Sequence, residues 1–161
     1  MSASAGRVRP ATSRDLERLA ALFADLVDHH APRGPAFALR PGVSLAATAR
    51  KLLRAQLADA DARLLCWEQE GELLGFCLAR VVRRSDVFVE TVRGSLDHLW
   101  VCSEGRRRGI GRALVRDASV WLRAQGARRL EVSVSRGNSA AAAFWRTLRF
   151  RPAMDVLERP L

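Results

Sequence analysis

Apolar residues recur along this chain with two periods, and the switches between them lay out its elements. From Leu16 to Val27, the positions Leu16, Leu19, Ala20, Phe23, Leu26 and Val27 fall at helical spacing. Thr12 or Ser13 caps this helix, Asp15 sits where its N-terminus favours negative charge, and His29 and His30 close it. A short strand over residues 7–9 precedes it. Pro32, Pro35 and Pro41 with Gly34 and Gly42 then predict a loop over 31–42, in which Phe37 and Leu39 are apolar. Ser44 caps a second helix carrying Leu45, Ala49, Leu52, Leu53 and Leu57 on one side, and Asp59-Ala60-Asp61 ends it.

The middle of the chain changes to period two and to near-continuous apolar runs. LLCW and LLGFCLARVV predict two strands, 63–68 and 72–83, covered on both faces and joined by a turn at Glu70-Gly71. Residues 85–94 form a loop or strand extension, and Leu96 to Val101 forms another strand. Gly109 and Gly111 then open a third helix whose buried side is Ile110, Leu114, Ala118 and Trp121, with Gly126 as its stop. Residues 128–135 alternate, with Leu130, Val132 and Val134 on one face. A last helix over 139–148 and a last strand or two over 150–157 complete the pattern. With no repeat or linker, this predicts one domain over 1–161, mixed α/β, with helices packed on a sheet.

Composition narrows the class without naming a chemistry. No apolar run approaches the ~20 residues that span a bilayer, so no membrane partner is expected. The opening MSASAGRVRP lacks the apolar core of a signal peptide, which predicts a cytoplasmic protein. Cys66, Cys77 and Cys102 fall within apolar stretches without metal-ligand spacing and read as reduced core residues, so no metal is expected. The net charge is +10, with 26 arginines against one lysine. That balance favours anionic partners. The basic residues are spread along the chain with no accompanying aromatic stripe, which argues against nucleic acid.

One cluster stands apart from this general basicity. Arg106, Arg107, Arg108 and Arg112 crowd the start of the third helix, an end that already carries about half a positive charge. A solvated basic turn is the plain alternative. With a strand before it, two glycines within it and an amphipathic helix after it, the cluster reads as a phosphate cradle. It is not a P-loop, since the only lysine is Lys51. It is not a full dinucleotide fingerprint either, since Leu114 stands where the third glycine or alanine belongs.

RRRGIG, Arg106 to Gly111, is similar to the Gln/Arg-x-x-Gly-x-Gly/Ala signature of the GCN5-related N-acetyltransferases, the GNAT superfamily. Asn138-SAAAAFWRTLR-Phe150 resembles a second family landmark, and Val8 to Leu16 resembles the opening strand. The resemblance implies a central mixed, mostly antiparallel sheet of six to seven strands with about four helices packed on both faces. It implies acetyl-CoA as co-substrate, with Arg106, Arg107, Arg108, Gly109, Ile110, Gly111 and Arg112 around its pyrophosphate. By position it assigns the pantetheine arm to the backbone of Leu99, Trp100 and Val101, and a coenzyme hydrogen bond to Asn138, which also reads as a helix cap. The 31–42 region becomes a wall of the acceptor pocket through Phe37 and Leu39. A homodimer is implied as the assembly.

Acetyl transfer to an amine needs a base, because an ammonium with pKa near 10 has no free lone pair. The candidate bases are Asp97 and Glu90, with His98 as a third. Asp97 matches the acid that many members carry two residues before Leu99. Strict alternation puts Asp97 with Leu99 on one strand face, and His98 with Trp100 on the other. Two departures from the family stand out. Trp145 replaces a tyrosine that serves many members as general acid, and the chain has no tyrosine at all; an indole there packs against the thiol end of the coenzyme. Arg149 stands where a glycine usually follows the helix. The activity expected is an N-acetyltransferase for a primary amine of a small molecule, an anionic one fitting the basic surface. The alternatives are a protein N-terminal or lysine acetyltransferase and a CoA-binding regulatory module with lapsed catalysis.

Overall fold

The computed structural model describes residues 6–33 and 38–159. Phe37 and residues 1–5 lie outside these, so the proposed pocket wall is described only through Leu39, which is half exposed. Strand β1 (Arg7–Pro10) leads through a short 3-10 turn into α1 (Leu16–His30). Helix α2 (Leu45–Ala58) is followed by β2 (Ala62–Gln69), β3 (Glu72–Arg83) and β4 (Val92–Val101). Then come α3 (Ile110–Ala124), β5 (Leu130–Val132) and α4 (Ser139–Thr147). The sheet order is β1-β2-β3-β4-β5, antiparallel except for the parallel β4–β5 pair. None of the described helices is long and apolar enough to cross a membrane.

The continuous apolar runs of β2 and β3 have the consequence their pattern predicted, a sheet covered on both faces. On one face, Leu64, Cys66, Phe76 and Leu78 pack under Leu19, Leu22, Phe23 and Leu26 of α1 and Ala49 and Leu53 of α2. On the other, Leu65, Cys77, Ala79 and Leu96 pack under Ile110, Leu114, Ala118 and Leu122 of α3 and Trp145 of α4. All three cysteines are free thiols in these cores.

The start of α1 is tied to the sheet by charge. The Asp15 carboxylate accepts from the Thr12 N–H at 2.7 Å and receives both Arg9 terminal nitrogens at 2.8 and 2.9 Å. Arg9 also reaches Glu68 of β2 at 2.7 Å. The Arg9 guanidinium, with the Thr12 N–H, holds the Asp15 carboxyl down to about 2.

Five strands form among the described residues, where six to seven were expected. The missing ones belong to 150–157. Pro152 supplies no ladder donor, and Met154, Val156 and Leu157 stand over 80% exposed, without a strand beside them. Strand β5 is also shorter than its alternating sequence, ending at Val132 rather than near Ser135. The helix α4 ends through a residue in the left-handed region, although a glycine does not stand there. That residue is Arg149 at φ 65°, a position that favours glycine.

Two stability measurements follow. Asp15→Asn should cost about 1 kcal/mol or more at pH 6 in urea melts. Because the Asp15 pKa is depressed on folding, the gap between wild type and variant should shrink as pH falls from about 4 to about 2. Arg149→Gly should stabilise the chain by about 1 kcal/mol, by removing the left-handed penalty.

Candidate active site

The site is built around one extra residue in β4. Register runs Leu78↔His98 and then Ala79↔Leu96, so Asp97 is a bulge with no partner in β3. A bulged strand bends and twists more strongly. The parallel ladder to β5 stops at Leu96↔Val132, the residue before the bulge. Beyond it β4 continues alone along β3, with one edge open.

Backbone directions on that edge follow from two hydrogen bonds. Gly94 N–H donates to Arg129 O at 2.8 Å on the β5 side, and Cys102 N–H donates to Leu74 O at 2.9 Å on the β3 side. Counting back from Cys102 by strand alternation, Val101 and Leu99 turn their backbone groups to the open edge, and Trp100 turns its own to β3. Val101 O accepts from Arg106 Nε at 3.2 Å. Among the described residues, no strand faces the backbone of Leu99 or the N–H of Val101.

The open edge runs into the α3 N-terminus through a tight turn. Arg107 (φ 60°) and Gly109 (φ 80°) both adopt left-handed backbone, and Gly109 caps α3 with no side-chain hydrogen bond and no acid in the first turn. The N–H groups of Ile110, Gly111 and Arg112 therefore lack the partners that Ser44 gives α2 and Asn138 gives α4. Gly111 serves packing as well: a Cβ there would lie 3.2 Å from the Phe144 ring of α4. Around the turn, Arg106, Arg107, Arg108 and Arg112 are all exposed. Arg106 stacks over Trp100 at 4.9 Å, and Arg108 reaches Gln69 at 2.7 Å. Uncapped amides, four guanidiniums and an open strand edge make a fit for a diphosphate with an amide-bearing arm.

Asn138 is buried and its Oδ1 accepts from Ala141 N–H at 3.1 Å, which makes it the α4 cap. Trp145 is buried and wedged edgewise between Phe144 and Phe150, each at 5.0 Å. Its place is in the core of the α3/α4 face, with Leu99 and Val101 against the same cluster.

The acids separate. Glu90 lies before the start of β4, roughly 25 Å along the strand from Leu99. There it is gripped by Arg129 at 2.8 Å and Arg93 at 3.5 Å, and these guanidiniums, Arg129 first, hold its carboxyl below the usual range. The structure does not bring it to the other site residues. Asp97 stays beside them, but the bulge turns it away from the Leu99 face. Its carboxylate accepts from Ser95 Oγ at 2.6 Å and from Arg80 Nε at 3.1 Å. Arg80 in turn pairs with Asp59 at the end of α2 at 3.0 Å. Asp97 therefore shares the α1/α2 face with His98 and Trp100, and strict alternation is corrected at this point.

That face holds a group the spacing alone did not assemble. His98 meets the edge of Phe23 at 5.1 Å, and His29 lies over Trp100 at 5.1 Å with His30 beside it at 5.7 Å. The signal available in the sequence was His29 and His30 at the close of an amphipathic helix; their meeting with β4 is a tertiary fact.

Comparison with known proteins bears on the family and the fold. The model of the acetyltransferase (GNAT) family matches residues 24–150. No curated protein matches the chain. Among solved structures, a mutant of the BH1408 protein from Bacillus halodurans superposes with TM-score 0.82 at 23% identity, covering 96% of this chain and 98% of that one. A transcriptional regulator from Bacillus halodurans C-125 gives 0.76 at 17%, covering 98% and 100%. The aminoglycoside N-acetyltransferase AAC(6')-Iy in complex with CoA gives 0.81 at 17%, covering 99% and 97%. At these identities the likeness is one of fold.

Proposed function

We propose that this chain, which belongs to the acetyltransferase (GNAT) family, moves an acetyl group from acetyl-CoA to a primary amine of a small molecule. The observation that carries this reading is the continuity of the open β4 edge with the uncapped α3 N-terminus. Few other ligands need both an extended hydrogen-bonding edge and a diphosphate seat. The CoA complex of AAC(6')-Iy, on the same fold, supports it.

In this reading Arg106, Arg107, Arg108 and Arg112, with the amides of Gly109, Ile110 and Gly111, hold the pyrophosphate. The coenzyme supplies an acyl group activated as a thioester. The backbone of Leu99 and Val101 holds its arm, and one of their N–H groups serves as oxyanion donor. Trp100 contributes from the other face by seating Arg106. Asn138 fixes the start of α4 beside the arm, and Trp145 fills the core beneath it. Asp97, whose carboxylate keeps acceptor sites beyond those taken by Arg80 and Ser95, orients the incoming ammonium. The basic surface favours an anionic acceptor over a polyamine.

Calorimetry with acetyl-CoA tests the seat. The chain should bind, and Arg112→Ala should weaken binding about tenfold, the loss of one charge-assisted contact; an unchanged affinity removes Arg112 from the seat. A thiol-release screen over amines, amino acids and peptides should find turnover with a small amine. Release with peptides alone would move the activity to protein acetylation.

A further inference from the structure

We infer that His98, rather than either carboxylate, takes the proton from the acceptor amine. The inference rests on the acetyl-transfer reading and adds to it the identity of the base.

Three observations place His98 there. First, the bulge at Asp97 brings His98 to the α1/α2 face immediately beside Leu99, whose backbone faces the open edge. With the Leu99 N–H as oxyanion donor, a base one residue away is within a side chain's reach of the reacting nitrogen. Second, the acids are occupied. Both Asp97 oxygens accept hydrogen bonds, one from a guanidinium, and Glu90 is held by two arginines at the far end of the strand. Third, the His98 ring is half-buried against Phe23. Among the described residues its nitrogens make no hydrogen bond, and neither is a sealed, unsatisfied atom as Trp67 Nε1 and Trp100 Nε1 are. They are left for water or an amine.

Burial also keeps the ring in its basic form. Desolvation, the largest effect, lowers the His98 pKa from its ordinary value. Of the groups that face it, Asp97 on its own strand raises it, while His30 at the end of α1 and Arg80 on β3 lower it further. A lowered pKa favours the neutral imidazole, whose ring nitrogen carries an accepting lone pair.

The step is a single proton transfer. An N–H bond of the ammonium breaks, its electron pair stays on nitrogen as the attacking lone pair, and the proton forms a new N–H bond on the imidazole. The imidazolium then returns that proton to solvent water. Tyrosine takes no part, consistent with its absence from the chain.

The test combines titration of the free protein with kinetics. The His98 ring resonances, assigned by comparison with His98→Gln, should titrate below pH 6.5 both without and with acetyl-CoA. With an amine found by thiol release, kcat/KM should fall tenfold per pH unit below that same pKa. His98→Gln, and His98→Asn as a second variant, should lower kcat about a hundredfold, keep acetyl-CoA affinity within twofold by calorimetry, and lose the acidic limb. Asp97→Asn should raise the amine KM yet keep the limb. A His98 that titrates above 7 or not at all overturns the inference. So does a folded His98 variant that stays within tenfold of wild type or retains the limb. If wild type binds no acetyl-CoA, the acetyl-transfer reading itself fails; if it binds and turns over while the variants match it, only the base assignment falls.

Discussion

The arrangement of this protein depends on a single unpaired residue. With Asp97 inserted, the residues of β4 that face β5 change from the series containing Leu96 to the series containing Leu99, a spacing of three where an unbroken strand allows only even steps. Three consequences follow from that one step. The ladder to β5 ends, so backbone amides stay open. Asp97 and His98 come to the same face. Leu99 and Val101 keep their side chains in the α3/α4 core while their backbones look outward. A strand of strict alternation would have closed against β5 and left nowhere for an extended ligand.

The two faces of the sheet thereby acquire different tasks. The α3/α4 face is a packing face up to the very edge of the site. There Gly111 lets Phe144 approach, and Trp145 lies between Phe144 and Phe150. Its residues set where the α3 amides point. The α1/α2 face is aromatic and titratable near β4, with Phe23, His29, His98 and Trp100 within ring contact. Under the proposed function the anion seat lies on one side and the proposed base on the other, which would separate binding from chemistry across a single strand. The left-handed backbone at Arg107 belongs to the first task. It costs about 1 kcal/mol in a non-glycine residue, and it bends the chain from the strand end into the uncapped start of α3.

Much of this was legible before any coordinates. The helical spacing of Leu16, Leu19, Phe23 and Leu26 and the apolar runs of β2 and β3 fixed their elements, because burial on a given face is a local property of the pattern. The clustering of four arginines at an uncapped helix start was legible for the same reason: Gly109, Gly111 and the arginines are contiguous in the chain. What escaped was what pattern does not encode. A bulge leaves no periodic mark in a stretch as short as Leu96 to Val101, so strict alternation puts Asp97 on the wrong face. Glu90 was sorted by chemistry and not by distance along β4. The segment 150–157 has strand-like residues, yet Pro152 and the absence of a described partner leave it without a ladder. The meeting of His29 with Trp100 needed the crossing of α1 over β4, which no local signal specifies.

Amide hydrogen exchange along β4 tests the open edge most directly. In the free protein the amides of Leu99 and Val101 should exchange fast while those of Trp100 and Cys102, held by β3, exchange slowly. Saturating acetyl-CoA should slow Leu99 and Val101 markedly and leave the other two as they were. Slow exchange at Leu99 and Val101 without coenzyme would mean the edge is closed. Fast exchange there with coenzyme bound would mean the arm lies elsewhere, and either result would contradict the account.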